Sequence, residues 1–175
     1  MQMIDELERL FPKQPLGAGR SLLEGDFYDT HYRFFDDIDD GYLQAFGDSA
    51  TDLLLKYSFD WPDFYLKAGL QAAQSRRRPI EGYTTWQDVT YEYLYYFSDS
   101  CCFIDPLGFQ FFLPAAIKHY LLAIEQNEKT VFMESFVYRI DRDWGTTDWL
   151  FDDAQTNYIA LWVKQHFAGQ VGWVV

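Results

Sequence analysis

Residues 103–122, FIDPLGFQFFLPAAIKHYLL, decide the fold. They form the most apolar run in the chain, and the punctuation inside them is informative. Asp105 can accept a backbone N–H bond and so cap a helix. Pro106 then takes the first helical position, where its missing N–H costs nothing. Pro114 is different: inside a helix it removes one backbone bond and clashes one turn back, at a cost of about 3 kcal/mol or more. The run therefore predicts a helix kinked at Leu113-Pro114, or two helices meeting there. Beyond the proline, Leu113, Ile117, Tyr120, Leu121 and Ile124 recur at helical spacing on one face. Lys118, Glu125 and Gln126 fall elsewhere and can meet water. Before it, Phe109, Phe111 and Phe112 put rings on most sides, which implies burial all round. A membrane span is not expected, because Asp105, Gln110, Lys118 and His119 interrupt the run. Each charge near a bilayer centre costs about 3 kcal/mol.

Working outward, the segments on either side read as shorter amphipathic pieces. Thr85 can cap a helix with Asp88 in a capping-box position, and Trp86, Val89, Tyr93 and Phe97 then share one face that suits the central run. After the polar loop at 125–129, residues 131–140 fit either a helix or a strand, with helix preferred. Residues 141–145 read as a turn, Thr147 as the cap of the last long helix, and Phe151, Ala154, Tyr158, Leu161, Trp162 and Gln165 as its stripe. At the other end, Ile4, Leu7, Leu10 and Phe11 make a helical face stopped by Pro12. Short helices are expected after Asp48-Ser49 and from Phe64 to Ala73, with Arg76-Arg77-Arg78 complementing the dipole at the latter's end. Trp173-Val174-Val175 is apolar enough to dock on the body. The sum is an all-α fold, a compact multi-helix bundle around a proline-kinked central helix, in a single domain spanning 1–175.

The pattern Phe103-x-x-Pro106-x-x-Phe109-x-Phe111-Phe112-Leu113-Pro114-Ala115, preceded by the Trp86 segment, resembles a family of small bacterial proteins of unknown function. Members of that family carry an F-L-x-P-x-x-F-x-Y-Y-L-P-A signature. The likeness is best over residues 86–122 and reaches weakly to 148–165. The signature consists of core-type residues, so the resemblance implies a fold and no catalytic residue.

Composition narrows function. Aromatic residues make up 20% of the 175, so large rings should dominate packing, and the 13 Tyr and 6 Trp also suit interfaces. Acidic residues outnumber basic ones by 27 to 14, for a net charge of −13. Such a field repels nucleic acid and anionic membranes and favours basic partners, although solubility alone is also a sufficient reason for it. The adjacent cysteines, Cys101 and Cys102, make no disulfide framework and are expected as reduced thiols. The opening MQMIDELERLF lacks the basic end and apolar stretch of a signal peptide, so a cytoplasmic location is expected.

Motifs for catalysis are missing from the sequence. There is no H-E-x-x-H, P-loop, dinucleotide fingerprint or nucleophile elbow. His31, His119 and His166 are widely spaced; a satisfied boundary histidine is the simpler reading of His119, and pairing it with Cys101 or Cys102 lacks an oxyanion hole and a third group. The acidic cluster Asp36-Asp37-Ile38-Asp39-Asp40 lacks calcium-loop spacing and reads as a solvated loop. Asp148 is read as an acid favouring a helix N-terminus. No metal and no cofactor is expected.

Three functions fit. The first is a non-enzymatic immunity protein that neutralises a basic toxin, with Phe27, Tyr28, Tyr32, Asp36, Asp37, Asp39 and Asp40 as the partner-binding surface. The second is a nucleic-acid mimic that inhibits a DNA-binding enzyme, for which the acids look too clustered. The third is an enzyme of unrecognised type, which requires a pocket with convergent titratable groups.

Overall fold

The structure, a computed structural model, describes residues 2–31 and 83–172. The described residues form six α-helices and no strand: α1 (Gln2–Leu10), α2 (Leu22–His31), α3 (Tyr91–Phe97), α4 (Pro106–Glu125), α5 (Met133–Asp143) and α6 (Asp153–His166). Two 3₁₀ turns, Trp86–Asp88 and Ser98–Cys102, flank α3. The all-α expectation holds, and residues 131–140 are helical. The helices expected near Leu53 and Phe64, Arg76 to Arg78 and the Trp173-Val174-Val175 tail lie outside the described residues.

The hub is α4. Asp105 caps it, accepting from the Gly108 N–H at 2.7 Å, and Pro106 follows in the first turn. Pro114 does not split the run into two helices: the helix continues through it to Glu125. Phe109, Phe111, Phe112, Leu113, Ala116 and Ile117 are all buried, which is the all-round burial that the aromatic pattern implied. Ile124 departs from the expected face, being 42% exposed near the C-terminal end. By length and composition α4 could cross a membrane, but 61% of its most apolar window is buried within the chain, so it is packed as a core helix.

Around the hub, α1, α3, α5 and the Trp86–Asp88 turn pack directly on α4, and α6 packs on α1. The Ser98–Cys102 turn is a second junction, held between α2 and α5. Rings fill the space between. Tyr93 stacks on Phe112 with centroids 5.8 Å apart, Phe109 on Phe136 at 6.2 Å, and Phe111 meets Phe112 edge-on at 4.9 Å. Such arrangements exploit the ring quadrupole and add to what area burial gives.

Polar groups at the helix ends tie remote segments together. The Asp105 carboxylate also accepts from the Arg20 N–H at 3.0 Å, while the Arg20 guanidinium donates to the Phe103 carbonyl at 2.9 Å. The approach is close enough that a Cβ on Gly108 would lie 2.1 Å from the Arg20 oxygen. At the end of α1, Trp86 donates to the Phe11 carbonyl at 3.2 Å and Gln155 to the Leu10 carbonyl at 3.0 Å, satisfying acceptors that the helix leaves unpaired.

Three boundaries differ from the sequence reading. The single helix expected from Thr85 to Phe97 is broken: Val89 and Thr90 are extended, with ψ of 125° and 157°, and Thr90 caps α3 by accepting from Tyr93 at 3.2 Å. Two capping threonines in close succession allow this, and the break frees the Val89 carbonyl. The last helix is capped by Asp152 in a reciprocal box with Gln155, not by Thr147, and Asp148 lies in the turn before it. Its buried face is consequently Gln155, Tyr158, Ile159, Trp162 and Val163, while Ala154, Leu161 and Gln165 are exposed. Finally, α5 runs on to Asp143, and the turn is made by Gly145 at φ +71°.

Candidate functional site

Of the sequence-predicted binding surface, only the backbone of Phe27 and Tyr28 is placed, on α2; their side chains, with Tyr32, Asp36, Asp37, Asp39 and Asp40, lie outside the described residues. Among the described residues, the kind of surface sought there, aromatic rings beside carboxylates, occurs on α3. Its sequence, YEYLYYF, alternates roles: Tyr93, Leu94 and Phe97 enter the core, while Tyr91, Tyr95 and Tyr96 remain 37%, 50% and 47% exposed. Tyr91 and Tyr95, one turn apart, stack with centroids 6.5 Å apart, and Tyr96 meets Tyr95 edge-on at 5.4 Å. Glu92 and Asp99 are exposed on the same stretch. The Ser135 hydroxyl on α5 donates to Asp99 at 2.6 Å and so fixes that carboxylate. The Tyr91 ring rests on Phe132 at 5.4 Å, next to Val131, which is 63% exposed. The surface is therefore aromatic on top and seated on the start of α5 underneath.

Histidine is spent structurally at α4. His119 Nε2 lies 2.8 Å from the Val89 oxygen; a carbonyl can only accept, so the imidazole donates. Burial holds its pKa below the ordinary value, against the opposing effect of that hydrogen bond. His119 thus satisfies the acceptor freed by the break before α3.

The most polar buried group was not anticipated. Arg139 is 2% exposed. Its Nε donates to Asp143 at 2.6 Å, and its Nη1 donates to the Ile104 carbonyl at 2.8 Å and to the Cys101 carbonyl. The guanidinium also lies 4.8 Å from the centre of the Phe109 ring. Arg142 approaches Asp143 from the rim, Nε to Oδ1 at 2.6 Å. Burial pushes the Asp143 carboxyl up, but the hydrogen bonds from Arg142 and Arg139 outweigh it, and the group sits below the usual range. The sequence signal is the i, i+4 spacing of Arg139 and Asp143.

A cleft of about 510 Å³ runs between α1 and α6, lined by Met3, Tyr158 and Leu161 with Asp5, Glu6 and Arg9. Two of its charged groups pair, Arg9 donating to Glu6 at 2.9 Å, and the Tyr158 hydroxyl donates to the Met3 carbonyl at 2.9 Å. Among the described residues no cluster of three or more His, Cys, Asp or Glu is arranged to hold a metal. Comparison with family profiles, curated proteins and solved structures finds no match to the chain.

Proposed function

We propose that the protein is a non-enzymatic binding protein, an immunity protein that neutralises a basic bacterial toxin. One observation carries the reading: three part-exposed tyrosines on one short helix, flanked by Glu92 and Asp99, in a chain of net charge −13. Tyrosine rings offer large, stiff contact area with a polar tip, and they receive lysine and arginine through their faces. The carboxylates steer a cationic partner and set orientation. The acidic segment with Asp36, Asp37, Asp39 and Asp40 extends the same chemistry along the chain.

The test uses the partner that the tagged full chain captures in a pull-down and that mass spectrometry identifies. Binding is measured by surface plasmon resonance at low and high salt, for the native chain, for the Y95S/Y96S double variant, and for a variant with Asp36, Asp37, Asp39 and Asp40 reversed to lysine. The expected result is an association rate that falls steeply with salt, a loss of at least about 30-fold in affinity for the tyrosine variant, and slower association for the charge reversal. Salt-independent association, or unchanged affinity in both variants, would overturn the reading. Displacement of the partner by duplex DNA would favour the nucleic-acid mimic instead.

A further inference from the structure

Two contacts join the α3 surface to α5: the Tyr91 ring on Phe132 at 5.4 Å, and the Ser135 hydroxyl on Asp99 at 2.6 Å. Exposed side chains flank both. Val131 precedes Phe132, and Tyr138 follows Ser135 by three residues and the exposed Glu134 by four, spacings that make neighbours on a helix surface. Val131 and Tyr138, at 63% and 61%, are the most exposed large hydrophobic side chains among the described residues. The inner positions of α5, Phe136, Val137, Arg139 and Ile140, are buried. Carboxylates punctuate the outer surface at Glu92, Asp99 and Glu134. The arginines close by are engaged: Arg139 is buried on Asp143 and the Ile104 carbonyl, and Arg142 donates to Asp143 at 2.6 Å. Lys129, in the loop before Val131, has Glu128 beside it.

We propose, resting on the binding reading above, that α3 and α5 form one docking surface for a basic, amphipathic segment of a partner protein. Its apolar side chains lie on the tyrosines of α3 and on Val131 and Tyr138, and its lysines and arginines meet Glu92, Asp99 and Glu134.

Charge selects the occupant. A second copy of this chain, at net charge −13, would bring carboxylates against carboxylates, and nucleic acid or an anionic lipid surface would meet the same repulsion. A cationic segment is drawn in. Charge alone holds it weakly, because exposed ion pairs return little; removing rings and Val131 from water supplies most of the affinity. The carboxylates speed the encounter and set its orientation. The segment must therefore be apolar on one side and basic on the other.

The experiment titrates the full chain with two synthetic peptides of about 14 residues, or four helical turns. Both carry the same number of lysines; one fills its other positions with leucine, the other with serine. Affinities are measured by calorimetry for the native chain, Y95S/Y96S and V131S/Y138S, and the contact is mapped on the native chain by hydrogen exchange. The leucine peptide is expected to bind at least about 10-fold tighter than the serine peptide, and each double variant to weaken it by at least about 10-fold. Exchange should slow over residues 91–99 and 131–138. Equal affinity for the two peptides, protection centred elsewhere, such as the cleft between α1 and α6, or self-association of the chain in place of peptide binding would overturn the proposal. If Y95S/Y96S weakens binding and V131S/Y138S does not, α5 is excluded while the binding reading of α3 stands; if neither does, both fall. The mapping on the native chain keeps the test decisive even where a variant folds poorly.

Discussion

Arg139 donates to Asp143 at 2.6 Å with both side chains almost wholly out of water, 3% and 7% exposed. A charge pair this deep holds only because its remaining valences are met. Arg139 also serves the Cys101 and Ile104 carbonyls, which close the turn leading into α4, and Arg142 covers the second Asp143 oxygen. Removing one partner leaves a buried charge and, for Arg139, two unsatisfied carbonyls. R139A is expected to lose about 3–5 kcal/mol of stability, measured by urea unfolding. A loss below about 1 kcal/mol would show that the node contributes little.

The same node sets a pH dependence. The Asp143 carboxyl is held below its unfolded value in the folded protein. The contribution is therefore fully present above the unfolded pKa of about 3.9 and is lost as pH falls through the folded value. The stability difference between the native chain and D143N should be flat from neutral pH down to about pH 5 and shrink in stronger acid. A difference that grows on acidification would contradict the assignment.

Tyr93 joins α3 to the start of α2. Its hydroxyl accepts from the Leu23 N–H at 3.0 Å, one of the donors that the first turn of α2 leaves free. Y93F keeps the ring in the core and strands that buried donor. A loss of about 1–3 kcal/mol is expected, together with faster hydrogen exchange at Leu23. Unchanged exchange there would mean that water or another group already supplies the acceptor.

Gly108 offers a test of sign. In a helix interior, Gly→Ala usually stabilises by about 1 kcal/mol. Here the added Cβ would meet the Arg20 oxygen at 2.1 Å, so the backbone of the 19–20 loop must move. G108A is therefore expected to destabilise by about 1–3 kcal/mol or more. Stabilisation in thermal unfolding would show that the loop yields freely.

The surface tyrosines should behave in the opposite way. Tyr95 and Tyr96 are about half exposed, and among the described residues the rings they contact are each other and Tyr91. Y95S/Y96S is expected to leave unfolding stability within about 0.5 kcal/mol of the native chain per substitution. A larger loss would place these rings in the core's support and not on a free surface.

Much of this architecture is legible in local chemistry. Asp105-Pro106 announces the start of α4, and the ring-dense stretch after it announces burial, because both depend on neighbours within a turn or two. One local signal was passed over: Ser21-Leu22-Leu23-Glu24 is a capping box, and the structure forms it, Glu24 accepting from the Ser21 N–H at 2.6 Å and Ser21 from the Glu24 N–H at 3.1 Å. The breaks at Val89-Thr90 and at Asp152 were harder, since each competes with another threonine as a cap. The tyrosine surface was visible as YEYLYYF, yet its face toward solvent was not, because aromatic residues serve cores and interfaces equally.

By itself the sequence determined the helical class, the ends of α4 and the sign of the surface field, since these follow from propensity, capping and charge that act over a few residues or over the whole chain at once. Tertiary structure alone decided that Asp143 faces inward to Arg139, that His119 serves the Val89 carbonyl, and that Cys101 and Cys102 lie on different sides of the solvent boundary. Those outcomes depend on which remote backbone group or charge is brought alongside a side chain, and that placement is set by packing between elements distant in sequence.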